Sequence, residues 1–169
     1  MTTHPVTNID DVKPITFGNG ERFEATFRWI SRQNGAQELG YNVVTLAPGK
    51  VAFPYHCHHG IEEAFFIISG AGRLRYDGEE YPLRGGDFVA CPPGKHSAHQ
   101  IINDSEDDLQ YLAISTTRMP DVVQYPDSGK VAMSCDADPE DGPDARPFRL
   151  IVREDAGVDY WEGEEGPDD

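Results

Sequence analysis

The chain has 169 residues, 14 basic against 30 acidic side chains and a formal charge of −16, with 38% hydrophobic residues. This length suits one domain built around a single core. The acidic excess argues against binding to nucleic acid, whose phosphates need Lys and Arg partners, and against anionic membrane surfaces. No apolar run approaches the ~20 residues that cross a bilayer, and residues 1–11 lack a signal-peptide pattern, so a cytoplasmic location is expected.

Short apolar or alternating runs recur along the chain, and each is followed by a cluster of Gly, Pro, Asn or Asp. This is the pattern of an all-β protein, and Asp77-Gly78 is a strong hairpin signal within it. About ten short strands in one small domain predict a sandwich or a barrel. The predicted strands cover residues 23–30, 40–46, 52–58, 63–68, 73–76, 81–83, 88–90, 98–102, 109–115 and 148–152.

Composition divides the chain into three parts. An N-terminal segment, 1–22, precedes a predicted barrel over 23–153, and an acidic tail occupies 154–169. The tail carries eight acidic residues, so it is expected to be largely flexible, as is the N-terminal segment. An acidic, proline-containing loop is predicted over 136–146.

The most informative stretch is residues 54–70, which contains a His-x-His pair followed by two acidic residues. Side chains alternate between the faces of a strand, so His56 and His58 point the same way and can share one metal ion. Spacing alone leaves Glu62 and Glu63 open as the carboxylate partner. A carboxylate on either apolar face would be costly to bury unless it were paired or bound a cation.

Around this stretch the sequence resembles the first motif of the cupin superfamily. Gly49 is followed by six residues, His56-Cys57-His58, four residues, Glu63, six residues and Gly70, and only the first gap departs from the motif, by one residue. The resemblance favours Glu63, because Glu62 would leave seven residues before Gly70.

The second cupin motif is matched about thirty residues further on. Gly86 precedes Pro92-Pro93-Gly94 by five residues, and His99 and Asn103 follow with two extra residues between Gly94 and the histidine. His96 is a rival for the histidine position. His99 is preferred because it keeps the spacing to Asn103 and lies inside a predicted apolar strand.

The resemblance, which covers roughly residues 40–115, implies a double-stranded β-helix, or jelly-roll, barrel. It also implies one divalent transition metal held by His56, His58, Glu63 and His99, with Glu63 open to a second role as a catalytic base. Such ligands suit Zn, Fe, Ni or Mn better than Mg or Ca. Single-domain cupins commonly pair, so a homodimer is expected.

Two classes of function remain open from the sequence. The first is a metal-dependent oxygenase, isomerase or lyase that acts on a small polar molecule. The second is a non-catalytic module that binds a small ligand on the same barrel. The enzyme hypothesis requires a polar pocket above the metal, whereas the module hypothesis predicts a closed or wholly apolar one.

Overall fold

The protein is described by a computed structural model that covers residues 4–137, 146–164 and 166. Strands dominate these residues, and helix is limited to a single turn, α1 (Ser31–Asn34), and short 3-10 turns. None of the described helices is long and apolar enough to span a membrane. The strands are β1 (Ile15–Asn19), β2 (Phe23–Trp29), β3 (Leu39–Leu46), β4 (Cys57–His58), β5 (Glu63–Ser69), β6 (Ala71–Tyr76), β7 (Glu79–Arg84), β8 (Phe88–Cys91), β9 (His99–Ile102), β10 (Leu109–Thr116), β11 (Asp121–Tyr125), β12 (Lys130–Cys135) and β13 (Phe148–Arg153).

The strands form three hydrogen-bonded sheets. One has the order β1-β2-β3-β10-β5-β8, a second β13-β12-β11-β4 and a third β7-β6-β9. Every paired strand runs antiparallel to its neighbour. Isolated bridges from Val51 to Ile102 and from His56 to His99 connect further residues to β9. The predicted double-stranded β-helix barrel is confirmed.

The barrel interior is filled by alternate residues of facing strands. Leu46 of β3, Ile67 of β5 and Leu109 of β10 are completely buried, and Phe27 and Tyr111 are nearly so. Part of this apolar core, including Phe27 and Tyr111, also lines a cavity in the barrel. The cavity is where the histidines converge.

The hairpin between β5 and β6 depends on glycine. The turn between β5 and β6 passes through Gly70, whose φ is +83°, a backbone conformation that favours glycine. A Cβ there would also lie 2.3 Å from the carbonyl oxygen of Asp108, so the loop before β10 can approach only because the position is glycine. This is the last glycine of the first cupin motif.

The structure differs from the predicted elements in four places. Part of the predicted N-terminal segment is β1, which pairs with β2 along its whole length, so that part of the segment belongs to the barrel. The predicted strand over 52–58 is reduced to β4, and β11 and β12 were not predicted. Most of the predicted loop over 136–146, and the end of the acidic tail, lie outside the described residues.

Candidate metal centre

Four polar side chains meet inside the open end of the barrel. His56 and His58 come from β4 and the residues before it, Glu63 begins β5, and His99 begins β9. The ligand-type atoms of His56, His58 and Glu63 all lie within 4.8 Å of one another. His99 adjoins this trio, with its Nε2 atom 3.1 Å from Glu63 Oε2. The structure therefore brings together all four residues that the sequence singled out.

The Nδ1 atom of each imidazole ring contacts an oxygen atom, and this contact fixes the orientation of the ring. His56 Nδ1 lies 2.8 Å from the carbonyl oxygen of Pro54, and His99 Nδ1 lies 2.9 Å from that of Ser97. Because a carbonyl oxygen can only accept, both Nδ1 atoms carry the proton and donate it. In the neutral rings the Nε2 atoms are then unprotonated, and their lone pairs face the cluster.

These lone pairs are directed toward the Glu63 carboxylate. Its Oε2 atom lies 3.3 Å from His58 Nε2 and 3.9 Å from His56 Nε2, as well as 3.1 Å from His99. Despite the short contact, Glu63 Oε2 and His99 Nε2 are buried without an aligned hydrogen bond. The unprotonated nitrogens of His56 and His99 thus face a carboxylate at close range, and a cation between them would stabilise this arrangement. The chemistry of the donor set fits a divalent transition metal.

The surroundings shift the ionisation of these groups. Burial, reinforced by His99, lowers the pKa of His56 to about 4, which keeps that ring neutral. Burial opposes protonation of His58 as well, but the carboxylates of Glu63 and Asp121 outweigh it and raise the pKa to about 8. Burial alone would raise the pKa of Glu63, yet the neighbouring imidazoles hold it below its ordinary value. The carboxylate is therefore ionised and available as a ligand.

Asp121 is a site residue that the sequence analysis missed. This residue is only 3% exposed, and its Oδ2 atom lies 2.6 Å from His58 Nδ1. Its Oδ1 atom accepts a hydrogen bond from the backbone N–H of Gly60 at 2.9 Å. A carboxylate behind a metal-binding imidazole fixes the ring and increases its basicity. The sequence feature that could have indicated Asp121 is the position of its carboxylate directly before the apolar residues Val122 and Val123.

The alternatives left open by the sequence lie elsewhere. His96 is on the surface, with a side chain 78% exposed, near Asp77. His59 points away from the cluster and contacts Gln124 through its Nε2 atom at 2.7 Å. Glu62 is absent from the cavity lining, and its backbone N–H bonds to the Thr116 hydroxyl.

The cluster opens into a cavity of about 400 Å³. Aromatic and aliphatic side chains form most of its wall, and polar groups are interspersed among them. The polar groups outside the cluster include those of Asn42, Ser115, Asp121, Tyr125, Ser134 and Arg149. The cavity is large enough for a small molecule beside the four converging side chains.

Comparison with known proteins agrees with this architecture. Residues 42–115 match the family model described as the cupin domain. The barrel and the position of the cluster within it fit the same assignment. Residues 42–115 thus form a cupin domain within the chain.

Relatives within this superfamily carry different activities. Quercetin 2,3-dioxygenase of Bacillus subtilis is 32% identical over 87 residues, which are 50% of this chain and 26% of that protein. An oxalate-binding protein of Thermotoga maritima is 32% identical over 69 residues, 41% of this chain and 54% of that protein. The chain thus spans from about a quarter to about half the length of these curated relatives.

A solved structure extends the likeness to most of the barrel. A candidate sugar phosphate isomerase of Acidithiobacillus ferrooxidans superposes with a TM-score of 0.70 and 28% identity, covering 80% of each chain. The agreement beyond residues 42–115 includes strands outside the family match. The fold is therefore shared over about four fifths of each chain, while the activities named for these relatives differ.

Proposed function

We propose that the protein is a metal-dependent enzyme that acts on a small molecule bound in the barrel cavity. The observation that carries this proposal is the convergence of the unprotonated Nε2 atoms of His56 and His99 on the Glu63 carboxylate. His56, His58, Glu63 and His99 would hold one divalent ion. Four protein ligands leave one or two positions for substrate or dioxygen on an ion that accepts five or six.

A bound ion of this kind supplies Lewis acidity and, with iron, access to dioxygen chemistry. The chain's own residues supply the rest. The apolar walls, among them Phe65 and Ile101, exclude water from the reacting region. Glu63 is ionised and borders the cavity, so it can also accept a proton from a substrate group that lies beside it.

The oxygenase subclass is tested by oxygen consumption. The protein would be stripped with chelator, loaded with Fe(II) and mixed with catechols, small carboxylates and thiols in turn. We expect uptake with one of these classes and none with the Zn(II)-loaded protein, since zinc has no redox chemistry. Absence of uptake with every class would remove the oxygenase and leave an isomerase or lyase.

A second candidate is a binding module without turnover, which the likeness to the oxalate-binding protein favours. The polar groups that line the cavity favour the enzyme, because the module hypothesis predicted a closed or apolar pocket. The two are separated by following a bound small molecule over time by NMR. Unchanged ligand in the presence of Fe(II), Zn(II) or Mn(II) would support the module.

A further inference from the structure

One wall of the cavity is a continuous row of aromatic rings. The ring of Trp29 lies 5.3 Å from that of Phe27, and Phe27 lies 5.6 Å from Phe53. Phe53 meets His56 at 6.3 Å, and Tyr125 lies beyond His56 at 6.1 Å with an angle of 26° between the planes. We call these five residues the aromatic wall. Ring faces and edges in such a row favour a flat, unsaturated ligand over a saturated one.

A row of polar residues crosses the sheet β13-β12-β11-β4, which also carries Tyr125 of the aromatic wall. Asp121 of β11 pairs with Ser134 of β12, and Ser134 pairs with Arg149 of β13. All three line the cavity. Neighbouring strands are about 4.8 Å apart, so the backbone of Arg149 lies roughly 10 Å from that of Asp121, which holds His58. The cavity therefore contains the cluster of His56, His58, Glu63 and His99 at one position and the Arg149 guanidinium at another.

Arg149 is the single Lys or Arg among the described residues that line this cavity. The two negative charges of the Glu63 and Asp121 carboxylates would balance the charge of a divalent ion. The Arg149 guanidinium then gives the cavity a net positive charge, although the formal charge of the protein is −16. Arg149 on β13 and Tyr125 of the aromatic wall on β11 belong to the same sheet, and both line the cavity. A planar guanidinium pairs best with a carboxylate, which it can engage through two hydrogen bonds.

The geometry points to an aromatic carboxylate as the ligand of this cavity. Its ring lies along the aromatic wall, its carboxylate pairs with Arg149, and an oxygen substituent at the far end of the ring faces the His–Glu cluster. This inference rests on the proposed function, because the oxygen substituent is directed to the metal. The aromatic wall and Arg149 would still recognise the ring and the carboxylate without the metal.

Binding can be followed through Trp29, because the chain has two tryptophans and the other, Trp161, is 70% exposed near the C-terminus. In a Trp161→Phe background, Trp29 is the sole tryptophan reporter. The Zn(II)-loaded protein would be titrated with 4-hydroxybenzoate, with uncharged 4-hydroxybenzamide and with saturated 4-hydroxycyclohexanecarboxylate. We expect 4-hydroxybenzoate to quench Trp29 and to bind at least about tenfold more tightly than either analogue.

The anion contact is tested by Arg149→Gln, with Arg153→Gln as the matched control. Arg149 and Arg153 lie on the same strand and are both exposed, but only Arg149 lines the cavity. Arg149→Gln should weaken 4-hydroxybenzoate binding about tenfold or more and leave the benzamide unchanged, whereas Arg153→Gln should change neither. Circular dichroism of both variants verifies that the barrel is folded.

The outcomes separate the two proposals. A protein that retains metal but binds none of the three compounds, or that is weakened equally by both arginine variants, overturns the inference and leaves the proposed function standing. A protein that binds 4-hydroxybenzoate through Arg149 but retains no metal supports the inference and overturns the proposed function.

Discussion

The contact between Asp121 and His58 connects the His–Glu cluster to the second half of the chain. The two residues are 63 positions apart in sequence, and their side chains meet at 2.6 Å. Gly60 makes the approach possible, because a Cβ there would lie 2.7 Å from the carbonyl oxygen of Pro120. The orientation of His58 therefore depends on β11, which lies beyond the residues that match the cupin model.

The first prediction concerns Asp121→Asn. This change keeps a hydrogen-bond acceptor for His58 Nδ1 but removes the charge that supports the ring, so we expect metal affinity to fall by roughly 10- to 100-fold. Affinity would be measured by competition with a chromophoric chelator. Asp127→Asn is the control, because Asp127 is an exposed carboxylate that pairs with Arg75 near the same sheet. Equal affinities for the two variants would show that Asp121 does not act through His58.

The residues of the site could be predicted from the sequence to different degrees. His56, His58 and Glu63 lie within eight positions of one another, so strand alternation and motif spacing single them out. His99 required the second motif to distinguish it from His96. Asp121 was missed because nothing local connects it to His58, and only the pairing of β11 with β4 brings them together.

At the scale of elements, Gly70 and Gly49 give a matched pair for a stability prediction. Both have positive φ, +83° and +76°, but a Cβ at Gly49 would meet nothing within 4 Å, whereas one at Gly70 would strike the backbone of Asp108. Gly49→Ala should cost about 1–2 kcal/mol from the left-handed backbone alone. Gly70→Ala carries that strain and displaces the loop before β10, so its loss of stability should be clearly larger.

Chemical denaturation of the two variants measures the free energy of unfolding directly. Equal losses would mean that the loop after β9 moves away from Gly70 without cost. A greater loss for Gly49→Ala would contradict the assignment of Gly70 as the point of close approach.

The elements that the sequence predicted poorly are those whose formation depends on partners. The residues of β1 are all exposed and include Gly18, so its pattern is weak, and it becomes a strand by pairing with β2. The predicted strand over residues 52–58 contains Pro54, which has no N–H to donate, and only Cys57–His58 form a strand. Strands with a strong apolar pattern, such as β3, β5 and β10, were predicted to within one residue at each end.

At the scale of the whole molecule, the acidic excess should make stability depend on salt. A charge of −16 on one small domain repels itself in the compact state, and added salt screens that repulsion. We therefore expect the melting temperature to rise between about 20 mM and about 300 mM sodium chloride. Chloride is used instead of sulfate, because sulfate also strengthens apolar burial. A melting temperature that falls over this range would show that attractive ion pairs outweigh the repulsion.

The whole account depends on a cation at the meeting point of the imidazoles and Glu63, and metal stoichiometry tests this most directly. The protein would be loaded with Zn(II), freed of excess metal by gel filtration and analysed by mass spectrometry. We predict about one ion per chain for the native protein and for His96→Ala, and loss of the ion in His99→Ala, with the barrel still folded. A native protein that retains no ion, or loss of the ion in His96→Ala with retention in His99→Ala, would contradict the account.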